Sequence, residues 1–174
     1  MAPAVASWAQ FAAARPDMAE RGFQQLSIPL AYLATVRKDG SPRLHPLSPI
    51  FADGRLFVAI EATAPRRFDL ARDGRYSLHA LPPELGPDYD EFEFNVTGRA
   101  QRVYDPMTLE SIQDAERARG RPGPKPDDWV FELDISAALT STWNHKMGLV
   151  GERWLPTPSN GSRATRDVWS AGRR

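Results

Sequence analysis

Cysteine is absent from all 174 residues, which excludes disulfides, thiolate nucleophiles and cysteine-ligated zinc or iron–sulfur centres. Histidine is scarce: His45, His79 and His145 share no i,i+2 or i,i+4 spacing, so no metal site is expected. Net charge is also lacking, because 22 Lys+Arg balance 22 Asp+Glu. Nucleic acid and anionic membrane surfaces both call for a basic face, so neither is an expected partner. No apolar run is long enough to span a bilayer. The start, Met1 to Trp8, lacks the basic and apolar regions of a signal peptide, so the expected location is cytoplasmic. Gly-x-Gly-x-x-Gly, Gly-x-Ser-x-Gly and Walker-type loops are missing, which removes the Rossmann, hydrolase-elbow and P-loop readings.

What is present is patterned apolar sequence, 41% of residues, punctuated by turn signals. Ser7 and Gln10 form a capping box for a helix to about Ala14, and Pro16 opens a second helix that stops near Gln25. The first strand is Ala31–Val36, and Asp39-Gly40 supplies a hairpin turn. The second strand, Pro42 to Phe51, contains Pro46 and Pro49, so it must be bulged or at an edge. Asp53-Gly54 turns the chain into a third strand, Arg55–Ile60.

A short helix is predicted over Thr63–Arg72, then a strand over Arg75–Leu81, an exposed loop over Pro82–Asp90 and a long strand over Glu91–Val103. Asp105-Pro106 caps a helix of about ten residues. Arg117–Asp128 reads as a flexible loop, Val130–Ile135 as a sixth strand, and the remainder as a polar, turn-rich tail. The chain therefore reads as mainly β, a small six-stranded antiparallel barrel with flanking helices. It is expected to form one domain: a helical cap at 1–26, the barrel at 27–135 and a tail at 136–174.

Arg66 and Arg67 are the first site candidates. Adjacent guanidiniums and free N–H groups at a helix start suit a phosphate, and the Thr63 hydroxyl would add a donor. Solvated surface charge is the other reading of the same pair. In the second strand Arg43, His45 and Leu47 share one face, while Leu44, Pro46 and Ser48 share the other. If the prolines interrupt pairing there, backbone groups of His45–Ser48 are free to meet a planar ring. The alternative is a solvent-facing edge protected by proline. His79 reads as a packed strand histidine. Trp143, Trp154 and Trp169 each suit packing on the barrel or at a subunit interface, with shielding of a bound planar ring as the alternative.

Two stretches together resemble the pyridoxamine 5′-phosphate oxidase-like family, the FMN-binding split barrels. They are Leu33-Ala34-Thr35-Val36-Arg37-Lys38-Asp39-Gly40-Ser41-Pro42-Arg43 and Ala64-Pro65-Arg66-Arg67-Phe68-Asp69-Leu70-Ala71-Arg72-Asp73-Gly74-Arg75. The resemblance covers roughly Ser27 to Ile135. It implies a six-stranded antiparallel split barrel that binds FMN as a homodimer, with cofactor at the interface, and oxidises or reduces a small-molecule substrate. It implicates Arg43, Leu44, His45 and Pro46 at the isoalloxazine and ribityl chain. Thr63, Ala64, Pro65 and Arg66 fall at the phosphate, with Arg67 supporting.

Arginine stands where the family often has lysine, and alanine stands where serine is usual, which removes one donor. The arginine-leucine-x-proline ending of true pyridoxamine phosphate oxidases is not found; Trp154-Leu155-Pro156 and Arg173-Arg174 do not reproduce it. Vitamin B6 oxidation is therefore not expected, and no catalytic acid or base is assigned. Relatives on the same barrel suggest alternatives: a deazaflavin coenzyme whose anionic tail meets a basic groove at Arg117–Lys125, or a non-catalytic flavin or haem protein using one of the three histidines.

Overall fold

The computed structural model describes residues 4–28, 30–81, 91–144, 148–156 and 167–171. Among them the chain opens with helix α1 (Trp8–Ala14) and helix α2 (Pro16–Leu26). The capping box is formed: Gln10 N–H donates to Ser7 Oγ at 3.3 Å, and Ser7 N–H donates to Gln10 Oε1 at 2.8 Å. Strands β1 (Ala31–Val36) and β2 (Pro42–Leu47) make a hairpin whose turn places Gly40 at φ +84°. Strands β3 (Pro49–Ala52) and β4 (Arg55–Ile60) make a second, with Asp53 at φ +48° and Gly54 at +67°. Positive φ at both central residues is the geometry that matches the strand twist.

Helix α3 (Arg66–Arg72) follows, then β5 (Arg75–Ala80), β6 (Glu91–Arg102), helix α4 (Pro106–Ala118), β7 (Trp129–Asn144), β8 (Gly148–Trp154) and β9 (Asp167–Ala171). The strands form one antiparallel sheet in the order β2-β1-β5-β6-β7-β4-β3, with β8 added beside β7 and β9 beside β8. The expected mainly β, split-barrel architecture is what the chain adopts.

Several expectations need correction. The single second strand is two. Its first half ladders to β1, its second half ladders to β4, and only Ser48 separates them. Prolines cannot donate to a ladder, so the segment passes from one edge of the sheet to the other and curls it. The strand expected to stop at Ile135 runs on to Asn144, and the stretch expected to be a turn-rich tail holds β8 and β9, so the described residues form nine strands rather than six. Helix α4 is thirteen residues long rather than about ten, and takes in Arg117 and Ala118 from the expected loop. Helix α3 starts at Arg66, not Thr63. The predicted loop Pro82–Asp90 lies outside the described residues.

Phe92, Phe94 and Val96 of β6 turn inward as the alternation predicts, joining Leu33, Leu56, Val58, Ile60, Leu78, Leu133 and Ile135. Full burial of each such side chain contributes about 1.5–3 kcal/mol. The α1–α2 pair closes over this core through Trp8, whose ring meets Phe51 edge-on at 4.8 Å, and Phe11, 4.9 Å from Trp154. Helix α4 packs through Ile112 on the other side of β3, β4 and β7, against Ile50, Phe57 and Val130. Among the described residues no helix is long and apolar enough to cross a membrane.

Candidate functional site

Helix α3 is clamped to the β1–β2 hairpin by one buried carboxylate. Asp69 is 5% exposed. It accepts from Arg43 Nε at 2.7 Å, from Thr35 Oγ1 at 3.3 Å and from Arg72 Nη2 at 3.5 Å. Arg72 also donates to the Val36 carbonyl at 2.5 Å. Leu70, on the same helix, enters the core. A carboxylate withdrawn from water needs several donors, and this set supplies them while fixing α3 beside β2. Arg43, expected at a ring, thus commits its Nε to Asp69, a pairing across 26 positions that carries no local signal.

The start of α3 is therefore held next to β2, but not in the expected form. Arg67 N–H donates to the Ala64 carbonyl at 3.2 Å, and Phe68 N–H to the Pro65 carbonyl at 3.0 Å. Those two main-chain donors, expected to be free for a phosphate, are spent within the turn. Thr63 is exposed in that turn, and its side chain makes no hydrogen bond among the described residues. What remains are the two guanidiniums. Arg66 and Arg67 are both half-buried, and the Nε of each is buried without a hydrogen-bond partner. Neither has an ion-pair partner among the described residues. Burial pushes Arg66 below the usual arginine value; Glu61 opposes this and Arg43 adds to it. Buried donors of this kind are rare unless a ligand or water completes them.

His45 belongs to the same cluster. It sits opposite Leu33 in the β1–β2 ladder and is largely exposed. Its pKa is lowered by partial burial, then by Arg66 and Arg43, against an opposing pull from Glu61. It is therefore neutral at pH 7. Leu44 and Pro46 fall on the other face of β2, Leu44 at 65% exposure and Pro46 opposite Tyr32, itself 39% exposed. The structure thus unites Arg43, His45 and Arg66, sets Leu44 and Pro46 on the opposite face, and leaves Thr63 at the edge.

Sequence reasoning missed the aromatic wall beside Arg67. Its guanidinium lies 5.0 Å from the Trp129 ring and 4.5 Å from Phe68, and Arg102 lies 3.5 Å from the same Trp129 ring. Trp129 opens β7 opposite Ile60, where β4 hands the chain to α3. Two long-range pairings bring the four side chains together: β4 with β7 for Arg67 and Phe68, and β6 with β7 for Arg102.

Two further candidates are packed. His79 Nδ1 is 2.6 Å from the Ala80 carbonyl, and Trp154 is core at 3% exposure. Trp143 and Trp169 lie in β7 and β9, but their side chains, like His145, Arg173 and Arg174, are outside the described residues. No cluster of potential metal ligands occurs among the described residues. The arginines expected to build a basic groove are engaged locally: Arg117 with Asp114, Arg119 over Phe23, and Arg121 with Glu116 and the Ser27 carbonyl.

No match was found among curated proteins. Among solved structures, an FMN-binding protein related to pyridoxamine 5′-phosphate oxidase from Nostoc punctiforme superposes with a TM-score of 0.63 at 11% identity, covering 87% of this chain and 94% of its own. A conserved hypothetical protein from Mycobacterium tuberculosis gives 0.59 at 23% identity, covering 83% and 91%. A haem-binding protein from Mycobacterium smegmatis gives 0.58 at 19% identity; 90% of this chain is covered, but the chain spans only 59% of that protein. These likenesses establish the fold. A family model described as pyridoxamine 5′-phosphate oxidase matches residues 20–141, from within α2 to near the end of β7, and the chain belongs to that family.

Proposed function

We propose that this chain binds FMN and acts as a cytoplasmic flavin-dependent oxidoreductase on a small molecule, as a homodimer with cofactor at the interface. The observation carrying the reading is the pair of half-buried guanidiniums, Arg66 and Arg67, with unpartnered Nε donors and no ion-pair partner among the described residues. Such a pair fits a phosphate, which brings the negative charge and acceptors they lack. Arg66 holds the phosphate, with Arg67 and Thr63 supporting. His45 and Arg43, on the face of β2 shared with Arg66, border the ring and ribityl chain, and Arg43 acts partly through Asp69 by fixing α3; Leu44 and Pro46, on the other face, look toward the interface. Exposed Leu44 and Tyr32 offer apolar sheet surface to a second copy. FMN, when bound, supplies the redox chemistry; the chain binds it, orients it and limits its contact with water.

The test is the visible spectrum of the purified protein, with mass spectrometry of released chromophore. A flavin spectrum and the mass of FMN are expected, with retention lost in Arg66→Ala. A colourless protein that fails to take up added FMN overturns the reading.

One observation favours a second reading. His45 is exposed and neutral beside two arginines, a state in which imidazole can ligate iron and the arginines can meet propionates. The haem-binding fold neighbour from Mycobacterium smegmatis is consistent with it. A Soret band that disappears in His45→Ala would establish haem in place of flavin.

A further inference from the structure

Away from α3, a cavity of about 140 Å³ lies between the first half of α2 and the stretch where β6, β7 and β8 run side by side. Its floor is set by register: Thr142 stands opposite Phe92 and Val150, and Thr140 opposite Glu152. Met18 and Arg21 of α2 complete the lining.

The charges around it are unevenly used. At the rim, Arg15 Nη2 meets Glu152 at 2.7 Å and Asp17 at 3.3 Å, so these three are committed to one another. Arg21 is not. Its guanidinium carbon lies 3.6 Å from the centre of the Phe92 ring, and it has no ion-pair or hydrogen-bond partner among the described residues. A guanidinium laid on a ring keeps its N–H edge free for an acceptor. Thr140 is only 7% exposed, lines the cavity, and makes no side-chain hydrogen bond among the described residues. Its hydroxyl is open to the cavity, where it can donate to an acceptor on a bound molecule. The volume is close to that of a cavity known to hold benzene, about 150 Å³.

We infer that this cavity binds a small monocarboxylate with an apolar body, its carboxylate on Arg21 and the Thr140 hydroxyl and its body against Phe92, Met18 and Val150. The rim triad of Arg15, Asp17 and Glu152 carries one net negative charge, which selects against more highly charged acids.

Benzoate is the probe, titrated calorimetrically into the full chain. Saturable one-site binding is expected. Removal of a charge-assisted contact in Arg21→Ala should weaken it by about tenfold or more. Arg21 is exposed, so that variant should fold normally, and Thr140→Val tests the same site independently with a smaller loss of affinity. Arg66→Ala should bind benzoate as the parent does. Absence of saturable binding at millimolar benzoate, or unchanged affinity in Arg21→Ala, overturns the inference.

Discussion

Arg43 Nε stands 2.7 Å from Asp69 Oδ2, tying β2 to α3 through a carboxylate side chain only 6% exposed. Removing the carboxylate strands both Arg43 and the Thr35 hydroxyl. Asp69→Ala is therefore expected to cost about 3 kcal/mol, a fall of roughly 6–12 °C in melting temperature. A thermal melt followed by circular dichroism checks this, and an unchanged midpoint would show that the clamp contributes nothing.

Gly98 sits at the register shift between β6 and β7, where an added Cβ would lie 1.8 Å from the Asp134 carbonyl oxygen. The obstruction is backbone and cannot swing aside. Gly98→Ala should lose about 3–5 kcal/mol. Gly40 offers the contrast: its φ is +84°, but nothing lies within 4 Å of a Cβ there. Gly40→Ala should cost only the left-handed backbone penalty, about 1–2 kcal/mol. Urea midpoints of the two variants separate a steric cause from a conformational one.

Partial burial, then Arg66 and Arg43, lower the pKa of His45 from its ordinary 6.5. The folded protein thus binds this proton less readily than the unfolded chain, so the contribution of His45 to stability is present above pH 6.5 and is lost as pH falls through the folded value. A phosphate on Arg66 would offset that cation and raise the midpoint. An NMR titration of the His45 ring should give a value below 6.5 in the free protein and a higher one with FMN. A midpoint indifferent to FMN would place the phosphate elsewhere.

Arg66 and Arg67 should separate by phenotype. Among the described residues Arg66 has no ring contact and no ion-pair partner within 4 Å, so Arg66→Ala should lose FMN while its melting temperature stays within about 2 °C. Arg67 also stacks on Trp129 and Phe68, and its loss should cost about 1 kcal/mol of stability in addition to affinity. A double-mutant cycle with Trp129→Leu would return that coupling; a coupling of zero would reduce the contact to coincidence.

The local elements of this protein were legible in its residues. Ser7 and Gln10 announced α1, Asp39-Gly40 and Asp53-Gly54 announced two hairpins, and Asp105-Pro106 announced α4, because caps and turns depend on side chains a few positions apart. The alternation through Phe92, Phe94 and Val96 likewise identified the buried face of β6. Arg66 and Arg67 were located at the start of α3 on the same grounds.

Tertiary structure decided the rest. Ser48 parts β2 from β3 because their partners β1 and β4 lie far apart in the sheet, which puts β2 and β3 at its opposite ends, a relation no local pattern encodes. Gly148–Trp154 reads as polar sequence and becomes a strand because β7 and β9 satisfy its backbone on both sides. Whether a helix start keeps free N–H groups, whether Arg43 faces a ligand or Asp69, and whether Arg21 and Thr140 share a cavity all depend on partners far away in the chain. Burial and long-range pairing set those outcomes, and they exist only once the sheet has closed around its core.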